Sequence, residues 1–105
     1  MGVMPSCVTD IFGQTKLFYT GWNTEKGCVP YGHGIGSVVL SNYEKLSRNN
    51  QGPLIDRGLF VPYLANSAFV YRDNNKFNMI FCNGNGWDED FPTYHLCEAY
   101  SNDSI

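Results

Sequence analysis

The sequence predicts an α+β domain, one helix packed on a short-stranded antiparallel sheet. Three observations predict it. Leu17, Phe18, Tyr19 and Trp22 lie close to one face at helical spacing. Gly, Asn, Ser and Pro punctuate the rest of the chain, so the apolar runs between them are short. Two of those runs flank Asp73-Asn74-Asn75-Lys76 as a hairpin.

Taken in order, the helix is expected over roughly Gly13 to Lys26. Gly27 would be its stop, because glycine accepts the left-handed conformation that ends helices. Gly21 and three threonines oppose this assignment, since all are poor helix formers. Trp22 is expected in the core. Strands are expected at Ser37–Tyr43, which carries Val38, Val39 and Leu40, and at Ser67–Arg72, Phe77–Cys82 and Thr93–Cys97. Pro53–Asp56 is a short apolar piece. A helix followed by strands is an α+β arrangement.

The chain of 105 residues suffices for one domain, taken as residues 1–105. A domain of this size has a thin core and gains from added constraints. Four cysteines, Cys7, Cys28, Cys82 and Cys97, could supply them as disulfides in an oxidising compartment. Their separations of 21, 54 and 15 positions lack the close pairs of a structural zinc site, so no metal is expected. Three connectivities are open. The preferred one is Cys7–Cys97 with Cys28–Cys82. Met1–Ser6 lacks a charged region and an apolar run, so a secreted protein would be represented here by its mature form. No apolar stretch approaches the ~20 residues of a membrane span.

The net charge is −3 and the seven Lys and Arg are scattered. Strong sequence-independent binding to nucleic acid is therefore not expected. Trp87-Asp88-Glu89-Asp90-Phe91 has clustered oxygen ligands, but not at the spacing of a twelve-residue calcium loop. It reads as a solvated acidic loop that offers a partner surface. His95 is expected to face solvent from a strand. Asn102-Asp103-Ser104 forms a glycosylation sequon of low specificity.

From Ala68 through Gly86 the chain resembles the last catalytic hairpin of the small guanyl-specific fungal ribonucleases. Cys7 and Cys97 match that family's long disulfide, and Gly27-Cys28 the end of its single helix. Tyr31-Gly32-His33 resembles its Tyr-Pro-His element, and Gln51-Gly52-Pro53-Leu54-Ile55 its Glu-x-Pro-aliphatic strand. The resemblance implies a ribonuclease-like α+β fold, and it sets a test. The family cleaves RNA with a base carboxylate, a helping histidine, an acid histidine and an arginine. Carried over, the helping histidine is His33, with Tyr31 before it. The base falls on Gln51, the arginine on Ala68 and the acid on Asn83. Amides cannot exchange protons near neutral pH, and alanine has no charge.

A scaffold without its catalysts resembles the ribonuclease-like secreted effectors of powdery mildew fungi. That resemblance implies a non-enzyme without cofactor, secreted and delivered into the cytoplasm of plant cells. Its partners would be an intracellular immune receptor of the plant (an NLR) or another host protein, with weak RNA binding at most. It would act as a monomer with no membrane role. Binding residues are expected at Tyr31, His33, Tyr43, Glu44, Arg72, Trp87 and Tyr94. Two alternatives remain. One is an active ribonuclease with a rearranged set, such as His33, Glu44 and Arg72. The other is an unrelated disulfide-stapled binding module, lectin-like or toxin-like.

Overall fold

The computed structural model describes residues 2–24, 31–42, 45–48, 52–62, 64–88 and 91–101. It is all-β among those residues. Strands β1 (Gly2–Ile11), β2 (Gln14–Thr24), β3 (Tyr31–Asn42) and β4 (Lys45–Arg48) form one antiparallel sheet in that order. Strands β5 (Leu64–Asp73), β6 (Lys76–Asp88) and β7 (Phe91–Ser101) form a second. The expected helix on a sheet is therefore corrected. Residues 14–24 are the second strand of sheet one, and residues 25–30, which include Gly27 and Cys28, lie outside the described residues.

The reason lies in the inward positions of β2. Lys16, Phe18 and Thr20 are buried and alternate with half-buried Thr15, Leu17 and Tyr19. Only one of the three inward side chains is apolar, so a period of two is invisible to a hydrophobicity pattern. The threonines that weaken a helix suit a pleated strand. The turn before β2 adds a second local cause. Phe12 and Gly13 both have positive φ, 51° and 82°, between the paired residues Ile11 and Gln14. Two left-handed residues in a two-residue connection make a type I′ turn, whose twist matches a hairpin. Asp10 Oδ1 accepts the Gly13 N–H at 2.9 Å, and the Phe12 ring meets Phe77 edge-on at 5.3 Å.

The other expected strands lie where the sequence places them, in β5, β6 and β7 and, for Ser37 to Asn42, in β3, with Tyr43 outside the described residues. The Asp73–Lys76 turn joins β5 to β6, with Asn74 left-handed at φ 55°. The Pro53–Asp56 piece makes an isolated bridge, with Ile35 N–H donating to Ile55 O at 2.9 Å. Leu54 and Ile55 thereby pack on the core.

That core lies between the sheets. Ile11, Phe18 and Ile35 from sheet one meet Ala68, Val70, Phe77, Met79 and Phe81 from sheet two, with Val61 from the connection. β5 is an edge strand of sheet two and lies against β1, β2 and β3. An edge presents unpaired backbone groups that need partners when buried. Side chains of sheet one provide them. Thr9 Oγ1 donates to Val70 O at 2.8 Å, and Thr20 Oγ1 accepts the Ser67 N–H at 3.0 Å. Cys7 Sγ accepts the Val70 N–H at 3.4 Å.

The expected Cys7–Cys97 pairing is corrected too, while Cys28–Cys82 rests on a residue outside the described ones. Cys7, Cys82 and Cys97 are free thiols, and Cys28 lies outside the described residues. Cys7 docks on β5, whereas Cys97 is on β7, with β6 between. Two strand spacings amount to about 10 Å, while a disulfide needs Cα atoms roughly 4.4–6.8 Å apart.

Candidate functional site

The start of β3 carries Tyr31 and His33 on the face that meets sheet two. Their rings stack with centroids 5.0 Å apart. His33 pairs across the ladder with Trp22 of β2, which puts the two side chains on one face. Trp22 is 41% exposed, so the expected core role is corrected. Across the gap to sheet two, Asn66 of β5 reaches His33, its Nδ2 lying 2.9 Å from His33 Nδ1. The same Nδ2 donates to Tyr94 Oη of β7 at 3.5 Å. Trp87 of β6 closes the group, edge-on to Tyr31 at 5.1 Å.

A bulge in β5 aims Asn66 at this site. Ser67 and Ala68 together oppose Phe81, because the register jumps between the pairs Asn66–Cys82 and Phe69–Ile80. Ser67 takes the left-handed conformation, at φ 58°. Such an extra residue bends a strand and re-aims its side chains. Ala68 then points into the core, while Asn66 shares the other face with Cys82 and Leu96.

Of the expected binding residues, Tyr31, His33, Trp87 and Tyr94 come together here, around an asparagine that sequence reasoning missed. The signal available for Asn66 was only a polar Asn-Ser step at a strand start. Arg72 does not join them. It sits at the β5–β6 hairpin tip, where Nε donates to Asn74 O at 3.1 Å and the guanidinium lies 6.0 Å from the Phe12 and Phe77 ring centres. Tyr43 and Glu44 lie outside the described residues, as do Gln51 and the sequon.

Two of the positions compared with ribonuclease catalysts, Ala68 and Asn83, do not line a cleft. Ala68 is 2% exposed and belongs to the core. Asn83 is buried as well. Its Nδ2 donates to Phe60 O at 2.7 Å and lies 3.5 Å from Cys97 Sγ, so it ties the 52–62 connection to sheet two. The rearranged set fares no better, since Arg72 lies near the end of β5 whereas His33 of β3 meets Asn66 near its start. His95 is exposed on β7. An apolar cavity of ≈140 Å³ lies elsewhere, among Leu54, Ile55, Phe77, Met79 and Ala99. No group of His, Cys, Asp or Glu able to hold a metal is present among the described residues.

Burial lowers the His33 pKa below the ordinary histidine value. The neutral ring accepts the Asn66 amide proton at Nδ1 and carries its own proton at Nε2. Burial likewise raises the Tyr94 phenol, partly offset by the Asn66 hydrogen bond. The cluster thus presents neutral donors and acceptors beside aromatic rings. A pH dependence follows from His33. In the unfolded chain it binds a proton near pH 6.5, and in the folded protein only at lower pH. The unfolded state therefore holds more protons in that window, and stability falls as pH drops through it. The melting temperature is expected to decrease between pH 7.5 and pH 5.5, and to decrease less in His33→Gln. Equal losses in both proteins would contradict the assignment.

Comparison with protein-family models, with curated proteins and with solved structures finds no match in any of the three.

Proposed function

We propose that this chain acts by recognition without chemistry, as a small effector-like binding protein whose contact surface is the Trp22–His33–Asn66–Tyr94 row. The observation that carries this reading is the Asn66 amide. It joins a stacked histidine on one sheet to an exposed tyrosine on the other. Exposed aromatic rings beside oriented polar groups are the usual anchors of a binding surface.

The setting carried over from the sequence belongs to the same proposal. It is a secreted protein that meets a host protein, including an immune receptor of the plant. The ribonuclease-like scaffold that first pointed there is not retained. Recognition without cleavage is the part that the arrangement of side chains supports.

Two assays test the reading together. Incubation with total RNA and with guanosine-containing dinucleotides is expected to give no cleavage above a buffer control. Affinity capture from plant extract is expected to enrich proteins or glycans that Tyr94→Ala and Asn66→Ala lose. RNA turnover that vanishes in His33→Ala would overturn the reading. So would capture unchanged by both substitutions.

A further inference from the structure

The chemistry of the row narrows its ligand. The hydrogen bonds and ring contacts within the cluster are made by an amide, an imidazole, a phenol and aromatic rings. Arg72, Lys76 and Lys16 stand elsewhere. Arg72 and Lys76 are at the β5–β6 hairpin tip, where Lys76 Nζ lies 5.3 Å from the Tyr100 ring centre. That tip is roughly 20 Å from Asn66 at about 3.3 Å per residue. Lys16 is buried on β2.

What the row offers is a pattern of polar and apolar contacts at short range. Tyr94 Oη accepts from Asn66 and keeps its own proton to donate. His33 Nε2–H is a second donor, and Asn66 Oδ1 is an acceptor. On either side stand the two exposed rings, Trp22 at 41% and Tyr94 at 43% exposure. A ligand that matches has hydroxyls that both donate and accept, apolar C–H faces and no charge. We infer that the row binds a neutral sugar ring, seated on Trp22 or Tyr94 and hydrogen-bonded by His33, Asn66 and Tyr94. This inference rests on the recognition reading above and adds the ligand class to it.

The test uses the two tryptophans as reporters, since Trp22 and Trp87 both belong to the site. The whole protein is titrated with neutral hexaoses of glucose, xylose and N-acetylglucosamine, and separately with a six-nucleotide single-stranded RNA, by fluorescence and calorimetry. Saturable binding of at least one hexaose is expected. It should weaken about tenfold in Tyr94→Ala and in Trp22→Ala, as for exposed anchor residues. Both positions are exposed, so circular dichroism should show both variants folded. Failure of all three hexaoses to bind at about 10 mM, a concentration that detects even millimolar affinity, would overturn the sugar inference. Binding of the RNA alone, lost in the same variants, would overturn the sugar and leave the recognition reading standing. Sugar binding unchanged by both substitutions would overturn the inference and remove the row as the contact surface.

Discussion

Ala68→Arg is expected to leave the protein unfolded or nearly so at 25 °C. Ala68 is 2% exposed and follows the β5 bulge into the core, among Val70, Phe77, Met79 and Phe81. An arginine there overfills a packed space, which alone costs about 1–3 kcal/mol. It also brings a charge into an apolar site, where an unpaired ion is far more costly. Together these exceed the roughly 4 kcal/mol that marks an exceptional substitution. A small domain holds about 5–15 kcal/mol in all, and a thin core places it near the lower end. The ribonuclease resemblance makes the opposite forecast. On a cleft floor the guanidinium would stay hydrated, and stability would move by about 0.5 kcal/mol, as at ordinary surface positions. Far-ultraviolet circular dichroism and urea unfolding separate the two. An arginine variant with the parent's urea midpoint would mean that Ala68 does not face the core.

The same residue shows what the sequence could and could not convey. The Asp73–Lys76 hairpin was legible because turn chemistry and strand patterning are local. Asn74 takes the left-handed conformation that asparagine tolerates, and Phe77, Met79 and Phe81 alternate inward. β2 was not legible, because two of its three inward side chains are polar. Thr20 is inward in order to hold the Ser67 amide of another sheet, and nothing local announces that bond. The thiols have the same character. Cys7 fits a bridge by composition, but its place is fixed by the Val70 amide. Tyr31, His33, Trp87 and Tyr94 stood out as residue types with chemistry to offer. Their common neighbour Asn66 did not, because it meets His33 across 33 positions of chain. A bulge decides which way it points, and a bulge leaves only a faint trace in one sequence.

The second large effect is a contrast between neighbours, Phe18→Ala and Leu17→Ala. Phe18 lies in β2, an inner strand of sheet one, and is wholly buried between its ladder partners Cys7 and Ser37. Its carbonyl also accepts the Ser6 hydroxyl proton at 3.1 Å, which the substitution leaves in place. Removing the ring should therefore cost about 3–5 kcal/mol, the range for a buried phenylalanine that leaves a cavity. Leu17 faces the other way, half-buried beside Val8 and Val38. A half-covered side chain has lost less apolar surface to begin with, so its truncation should cost roughly 1 kcal/mol. A helix would not separate the two residues in this way. There Leu17 and Phe18 share one apolar face with Trp22, and truncations would cost similar amounts, with Trp22→Ala among the largest. In the strand, Trp22 is partly exposed at the end of the sheet, with its indole over Gly2, and Trp22→Ala should resemble Leu17→Ala. Urea unfolding of the three variants, with slopes compared to confirm a common unfolded state, reads the pattern directly. A Leu17→Ala cost equal to that of Phe18→Ala would contradict a two-residue period in this segment, and with it the strand that carries Trp22 to the site.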